Sequence, residues 1–136
     1  MLFGDGFVGT GNLEKTIVIN YSNLLGAIEK LDSTQPIGLA IDGVAGSGKT
    51  TLASRLCGDL KSCQVVHMDD LYEGWDSTLN LKLTDKLKTI LSCVKNENRI
   101  SFLPFDWVES KFASEIDIPA PKNLIIEGVG SGQSAL

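Results

Sequence analysis

The apolar residues of this chain fall into short continuous runs separated by longer stretches of mixed polarity. Ile37–Ile41, residues 64–68 and Asn123–Glu127 are apolar runs of strand length, and such runs are typical of parallel strands buried on both faces of a sheet. Residues 100–104 form a further extended segment. Because helical patterns lie between these runs, the sequence predicts an α/β fold with a parallel sheet.

Three of the remaining stretches have apolar residues at the spacing of amphipathic helices. Ser22 and Asn23 can cap the first helix, the second follows residue 50, and the third extends from about residue 78 to residue 95. Each helix is expected to bury one apolar face. These faces are Leu24, Leu25, Ile28 and Leu31 in the first helix, Leu52, Ala53, Leu56, Cys57 and Leu60 in the second, and Leu83, Leu87, Ile90, Leu91 and Val94 in the third.

The first 20 residues show neither pattern. Residues 4–9 spell G-x-G-x-x-G, but no strand precedes this segment and no βαβ unit surrounds it, so it is not a dinucleotide-binding motif. We expect residues 1–20 to be a flexible tail and residues 21–136 to form the folded part of the chain.

Composition narrows the classes of partner. The chain has 136 residues, is 43% hydrophobic and has a formal net charge of −5, which suits one globular domain and argues against nucleic acid or an anionic membrane as the main partner. No window approaches a membrane span and no secretion signal is apparent, so a cytoplasmic protein with small-molecule ligands is expected. The spacing of the three cysteines does not follow metal-binding patterns, and they are expected to be reduced thiols.

Residues 43–50 read Gly-Val-Ala-Gly-Ser-Gly-Lys-Thr, a complete G-x-x-x-x-G-K-[ST] phosphate-binding loop between a predicted strand and a predicted helix. Glycines let the backbone curl so that successive N–H groups point at phosphate oxygens. Lys49 is expected to reach the β and γ phosphates, and Thr50, in preference to Thr51, to offer its hydroxyl to Mg²⁺. The predicted nucleotide-binding residues are Gly43, Ala45, Gly46, Ser47, Gly48, Lys49, Thr50 and Thr51. ATP and Mg²⁺ are therefore the expected cofactors.

Carboxylates stand at the ends of the other two apolar runs. Asp69 and Asp70 follow the second run, and Glu127 ends the third before a glycine-rich loop, residues 128–132. The carboxyl ends of parallel strands form the binding edge of such sheets. A carboxylate beside a triphosphate is costly unless it meets a metal ion or a proton to abstract, so Asp69 and Glu127 are predicted to have functional roles.

Three ordered motifs resemble the uridine kinase and phosphoribulokinase-like group of P-loop kinases, and in particular its short bacterial members called uridine kinase-like or ATP-binding. The motifs are Val-His-Met-Asp-Asp-Leu-Tyr at residues 66–72, Leu-Pro-Phe-Asp-Trp at 103–107 and Ile-Ile-Glu-Gly at 125–128. The resemblance runs from about residue 37 to residue 133. It implies a three-layer α/β/α P-loop fold with the kinase strand order 2-3-1-4-5, and transfer of a phosphoryl group from ATP to a hydroxyl of a small nucleoside-like substrate.

The resemblance also assigns roles to single residues. It implies that Asp69 takes the proton of the acceptor hydroxyl, with Asp70 as the alternative base, and that Glu127 helps to hold Mg²⁺. The catalytic residues so predicted are Asp69 and Lys49. The predicted metal ligands are Thr50, Glu127 and Asp69. The predicted substrate-binding residues are Tyr72, Phe105, Asp106 and Trp107.

The chain departs from this family in two respects. Members specific for uridine have His and Arg where this chain has Ser110 and Phe112, so uridine itself is not implied as the acceptor. The only arginines are Arg55 and Arg99, so none follows Glu127, where the family continues with an arginine-bearing lid and further strands. By this resemblance we expect residues 21–136 to form a partial P-loop kinase domain, in which the lid and the last strands are missing. The chain would then be a fragment of a longer protein.

Two alternative functions agree with the same motifs. Residues 40–49 also resemble the loop of cytidylate kinases, which would make the acceptor a nucleoside monophosphate, although Arg99 is the only nearby candidate for binding an acceptor phosphate. The other alternative is an ATP-binding module without catalysis. Such a module has no need of a base at Asp69, so that residue discriminates between the classes.

Overall fold

The structure is a computed structural model, and it describes residues 7–9, 16–18, 20–31, 34–71 and 81–132. The helices are α1 (Tyr21–Glu29), α2 (Lys49–Asp59) and α3 (Leu81–Glu97). The strands are β1 (Phe7–Gly9), β2 (Thr16–Val18), β3 (Ile37–Ile41), β4 (Cys63–His67), β5 (Arg99–Phe102), β6 (Phe105–Asp106), β7 (Lys111–Phe112), β8 (Ile116–Pro119) and β9 (Asn123–Glu127). A 3₁₀ turn, Met68–Leu71, follows β4.

The described residues divide into two compact units. The first unit contains the residues up to Val66 and those from Pro121 onward, and the second contains His67–Ala120. Within the described parts of both, no helix combines the length and apolar character that crossing a membrane requires.

The first unit is built on a three-stranded sheet in the order β3-β9-β4. β3 and β9 are parallel, with Ile37 opposite Asn123 and Ile41 opposite Glu127. All five residues of β9 are buried, as the apolar pattern of a central strand predicts. The prediction of a mixed α/β fold with a parallel sheet is therefore confirmed. The predicted strand order 2-3-1-4-5 and the absence of the last strands stay predictions.

Both helices of the first unit pack on the sheet through their apolar faces. The core consists of Leu24, Ile28, Ile41, Ala53, Leu56, Leu60 and Ile125, with Leu39 and Val65 packed against it. These side chains come from α1, from α2 and its C-cap, and from the strands β3, β4 and β9. Burial of one apolar face per helix therefore holds the layers together. Helix α1 starts earlier than predicted, because the side chain of Asn20 accepts a hydrogen bond from the backbone N–H of Asn23 (2.9 Å) and so supplies the N-cap that we expected from Ser22 or Asn23.

A polar contact joins α1 to α2 at the edge of this core. The Tyr21 hydroxyl donates to the Asp59 carboxylate (2.6 Å), and the guanidinium of Arg55 lies 3.8 Å from the centre of the Tyr21 ring. Burial, together with the Asp59 carboxylate, raises the pKa of Tyr21 to about 12. The phenol therefore stays protonated and remains a donor to Asp59 at neutral pH.

Gly26 lies in the middle of α1, and the space around the position of an added Cβ is open. We expect Gly26→Ala to raise the free energy of unfolding by about 0.5–1 kcal/mol, because alanine loses less conformational entropy in a helix. Urea denaturation of the two proteins measures this difference. Gly46→Ala is the matched control: its surroundings are equally open, but its φ of +77° strains any L side chain, so it should lower stability. A loss of stability in Gly26→Ala would contradict the expectation.

In the second unit, helix α3 packs on strand β5, and β5 pairs with β8 in an antiparallel ribbon. Five apolar residues of α3 and β5 are buried: Leu83, Leu87, Ile90, Val94 and Ile100. Helix α3 was predicted with almost its observed extent, although residues 78–80 lie outside the described residues. Strand β8 and the short hairpin of β6 and β7 were not predicted.

Near the N-terminus, β1 and β2 pair antiparallel, with Phe7 opposite Val18 and Gly9 opposite Thr16. The glycine-rich pattern of this segment does not predict the pairing. Much of the predicted tail, residues 1–6, 10–15 and 19, lies outside the described residues.

Candidate functional site

The segment between β3 and α2 forms a loop whose backbone is shaped by glycines. Gly46 and Gly48 have φ values of +77° and +86°, a region that favours glycine, and Gly48 is the N-cap of α2. The first intrahelical bond runs from the N–H of Leu52 to the carbonyl of Gly48 (3.0 Å). The amides of the first turn of α2 therefore have no intrahelical acceptor, and together with the positive end of the helix dipole they can bind an anion.

Two further observations fit this loop to a phosphate group. The hydroxyl oxygen of Ser47 is buried and has no hydrogen-bond partner within the described structure, which is costly unless a ligand supplies one. The Lys49 ammonium donates to the carbonyl of Val44 (2.8 Å), so the side chain lies back over its own loop. The loop thus combines unpaired donors with a nearby positive charge, as triphosphate binding requires.

Thr50 and Glu127 meet at the carboxyl edge of the sheet. The Thr50 hydroxyl donates to a carboxylate oxygen of Glu127 (3.0 Å), although 77 residues separate them in sequence. Glu127 is only 5% exposed, because it ends the central strand, and Thr50 lies in the first turn of α2. A hydroxyl and a carboxylate are the oxygen ligands that Mg²⁺ prefers, so this pair fits a metal ion bound beside a phosphate.

Asp42 is a residue of this region that sequence reasoning missed. It lies between the end of β3 and Gly43, and its carboxylate accepts N–H groups from Gly43 (2.7 Å), Gly130 (2.8 Å) and Gly132 (3.0 Å). Residues 128–132 therefore form a loop attached to the start of the phosphate loop. The only available signal was an Asp directly before the first loop glycine, which does not by itself indicate such contacts.

The predicted catalytic base lies in the second unit. Asp69 is exposed in the 3₁₀ turn Met68–Leu71, whose apolar residues Met68 and Leu71 are buried. The backbone carbonyl of Asp69 accepts a hydrogen bond from the indole N–H of Trp107 (3.0 Å). The turn is thus held by its neighbours and backbone, which leaves the Asp69 side chain exposed to solvent.

Two of the predicted substrate residues, Phe105 and Trp107, form an aromatic cluster with Phe112 at the hairpin of β6 and β7. The ring of Phe105 meets those of Trp107 (5.3 Å between centroids) and Phe112 (5.5 Å) edge-on. One carboxylate oxygen of Asp106 accepts the N–H groups of Val108 (2.9 Å) and Glu109 (3.0 Å), which closes the hairpin turn. Asp106 therefore has a structural task that the sequence did not reveal. The fourth predicted residue, Tyr72, lies outside the described residues.

A cavity of about 330 Å³ opens in the second unit between α3 and the end of β5. Its walls are mostly apolar and include Leu71, Ile90, Phe102 and Phe112. The Lys86 ammonium stands at the wall, donates to the carbonyl of Leu71 (3.1 Å) and lies 4.7 Å from the centre of the Phe112 ring. Asp85 is the other charged residue of the lining, so the two charges of the cavity balance.

No protein-family model matches the sequence, and no curated protein matches it. Among solved structures, the fold is similar to that of a protein from Bacillus stearothermophilus described as a possible uridine kinase, with a TM-score of 0.66, 24% sequence identity, and coverage of 84% of this chain and 72% of that one. It is also similar to a protein from Silicibacter sp. TM1040 provisionally described as a fructose transport system kinase, with a TM-score of 0.61, 21% identity, and coverage of 86% of this chain and 69% of that one. At this identity the likeness shows the fold alone.

Proposed function

We propose that this protein transfers a phosphoryl group from ATP to a hydroxyl of a small nucleoside-like acceptor, with Mg²⁺ as the metal. The observation that carries the proposal is the pairing of Thr50 with Glu127 (3.0 Å), since it joins the phosphate loop to a buried carboxylate of the central strand. The kinase-like fold supports the same reaction class.

In this proposal one set of residues binds the nucleotide and the metal ion, and another residue accepts a proton. The amides of the phosphate loop and the Lys49 ammonium bind and orient the triphosphate, and the Ser47 hydroxyl gains a partner. Thr50 and Glu127 would hold Mg²⁺, which neutralises charge on the β and γ phosphates when bound. Asp69 is the proposed base that accepts the proton of the acceptor hydroxyl, and its side chain is exposed to solvent.

The cavity of the second unit suits an acceptor molecule that is largely apolar and uncharged. Its volume of about 330 Å³ lies at the lower end of small-molecule sites, and its aromatic walls suit a ring. The opposed charges of Lys86 and Asp85 give it little attraction for a dianionic phosphate. We therefore place a nucleoside-like alcohol ahead of a nucleoside monophosphate as the acceptor.

The test is ADP release from ATP·Mg²⁺ with a panel of nucleosides, nucleoside monophosphates and small sugars. Acceptor-stimulated release with nucleoside-like alcohols is the expected result, and the phosphorylated product identifies the acceptor. Tight ATP binding without stimulation by any acceptor would contradict the kinase proposal and leave a nucleotide-binding module. Stimulation by nucleoside monophosphates alone would show that the acceptor is a nucleoside monophosphate, while phosphoryl transfer from ATP would remain the reaction.

A further inference from the structure

Asp42 lies where the two loops that form the nucleotide and metal region approach each other. One of its carboxylate oxygens accepts the N–H groups of Gly43 and Gly130, and the other accepts that of Gly132. Gly43 begins the phosphate loop, whereas Gly130 and Gly132 belong to the segment directly after Glu127. A single carboxylate therefore bridges the two loops through charge-assisted hydrogen bonds, which are stronger than neutral ones.

The end of β3 strengthens this bridge. The carbonyl of Ile41 accepts the N–H of Gly128 (3.0 Å) and the hydroxyl of Ser131 (2.8 Å), and Ser131 is only 3% exposed. Residues 128–132 are thus bound along their length to residues 41 and 42. This segment begins one residue after Glu127, so its position constrains the end of the strand that carries the Glu127 carboxylate.

The fit around Asp42 is tight on the side of Gly132. A Cβ added to Gly132 would lie 3.2 Å from a carboxylate oxygen of Asp42 and 3.3 Å from its Cβ. Aspartate therefore fills the space, and a methyl group on Gly132 would require the Asp42 side chain to shift by a few tenths of an ångström. The bridge can be disturbed from either side, by a change of charge at residue 42 or by a change of shape at residue 132.

We propose that Asp42 is a positioning residue: it holds residues 128–132 against the phosphate loop and so keeps the Glu127 carboxylate beside Thr50, where both can serve one Mg²⁺. The proposal rests on the metal role given above to Thr50 and Glu127. Asp42 acts through these residues, in the way that groups around metal ligands orient them and tune affinity.

The test compares ATP affinity with Mg²⁺ and with EDTA, by calorimetry, in the unmodified protein, in Asp42→Asn and in Gly132→Ala. Asparagine keeps the size of the side chain but replaces one accepting oxygen with a donor that faces N–H groups. We expect the gain in affinity that Mg²⁺ provides to fall by roughly 10-fold or more in both variants, while affinity in EDTA changes by less than about 3-fold. Faster amide hydrogen exchange at Gly130 and Gly132 should accompany the loss.

Leu24→Ala is the control for stability, since it truncates a buried core residue of α1 and leaves the bridge intact. It should lower the unfolding midpoint and keep the full Mg²⁺ gain. An unchanged Mg²⁺ gain in Asp42→Asn and Gly132→Ala would overturn the positioning role while the kinase proposal stands. A parallel loss of affinity with and without Mg²⁺ would also overturn it, because it would show a merely structural role. An unmodified protein that binds no ATP would instead refute the proposed function itself.

Discussion

Replacing Asp69 with asparagine is expected to lower acceptor-dependent phosphoryl transfer by about 10²–10⁴-fold, the range that general-base catalysis contributes. An amide of the same size cannot accept the proton of the acceptor hydroxyl. ATP affinity should not change, because the proposed contacts of the triphosphate are made by the loop and Lys49. The measurement is steady-state ADP release with and without acceptor, together with the dissociation constant for ATP.

The Asp69→Asn substitution is expected to remove the carboxylate without disturbing the fold of the turn. The Asp69 side chain is exposed, and the contact that ties the turn to Trp107 uses the backbone carbonyl, which asparagine retains. Stability should therefore change by no more than about 0.5 kcal/mol. Asp70→Asn, one residue along the same turn, is the matched control and should retain most of the activity. Full activity in Asp69→Asn would remove Asp69 as the base, and loss in Asp70→Asn alone would move that role to Asp70.

Most of the first unit's architecture follows from local pattern. Ile37–Ile41 and Asn123–Glu127 are continuous apolar runs, and they form parallel strands with the register that brings Ile41 beside Glu127. Helix α2 follows directly from the phosphate-loop motif, whose last glycine caps it. Such elements are predictable because each one's own sequence carries its period and its boundary signals.

The missed elements depend on contacts between distant residues. β6 and β7 have two residues each, so no period can be read from them, and the turn that joins them depends on the Asp106 side chain accepting two N–H groups. The tie between Asp42 and residues 130–132 spans 88 and 90 positions of sequence. Pattern reasoning has no access to such pairs, because they arise only when the sheet brings strand ends together.

The candidate site shows the same division. The motif predicts a Mg²⁺ role for Thr50, and the family resemblance implies one for Glu127, yet neither predicts that the two side chains hydrogen-bond to each other. That pairing depends on β9 lying next to β3, a fact of topology. The roles of the two residues stay predictions. Because Thr50 and Glu127 are adjacent, the prediction that both bind the same metal ion can be tested.

Replacing Lys49 with methionine is expected to have the largest effect on nucleotide binding. The ammonium lies over the phosphate loop, 2.8 Å from the carbonyl of Val44, so it is already close to the anion that the loop amides would bind. Methionine keeps an unbranched side chain and removes the charge. A hydrogen bond to a charged group contributes about 1.5–3 kcal/mol, so ATP affinity should fall by roughly 10–100-fold. The transfer rate should fall by about 10³-fold in addition, because charge on the transferred group is neutralised by such cations in the transition state.

Lys61→Met provides the matched comparison, since it removes one positive charge from an exposed position just beyond the C-terminal end of α2. If Lys49 acts by direct contact with the triphosphate, Lys61→Met should bind ATP as the unmodified protein does, at low and at high salt. A general effect of net charge would weaken both variants equally and would fade with added salt, since exposed charges are screened beyond about 10 Å at 0.1 M ionic strength. If Lys49→Met bound ATP with unchanged affinity, the assignment of residues 43–50 as the triphosphate site would be contradicted. The Lys49 ammonium would then make no contact with the triphosphate.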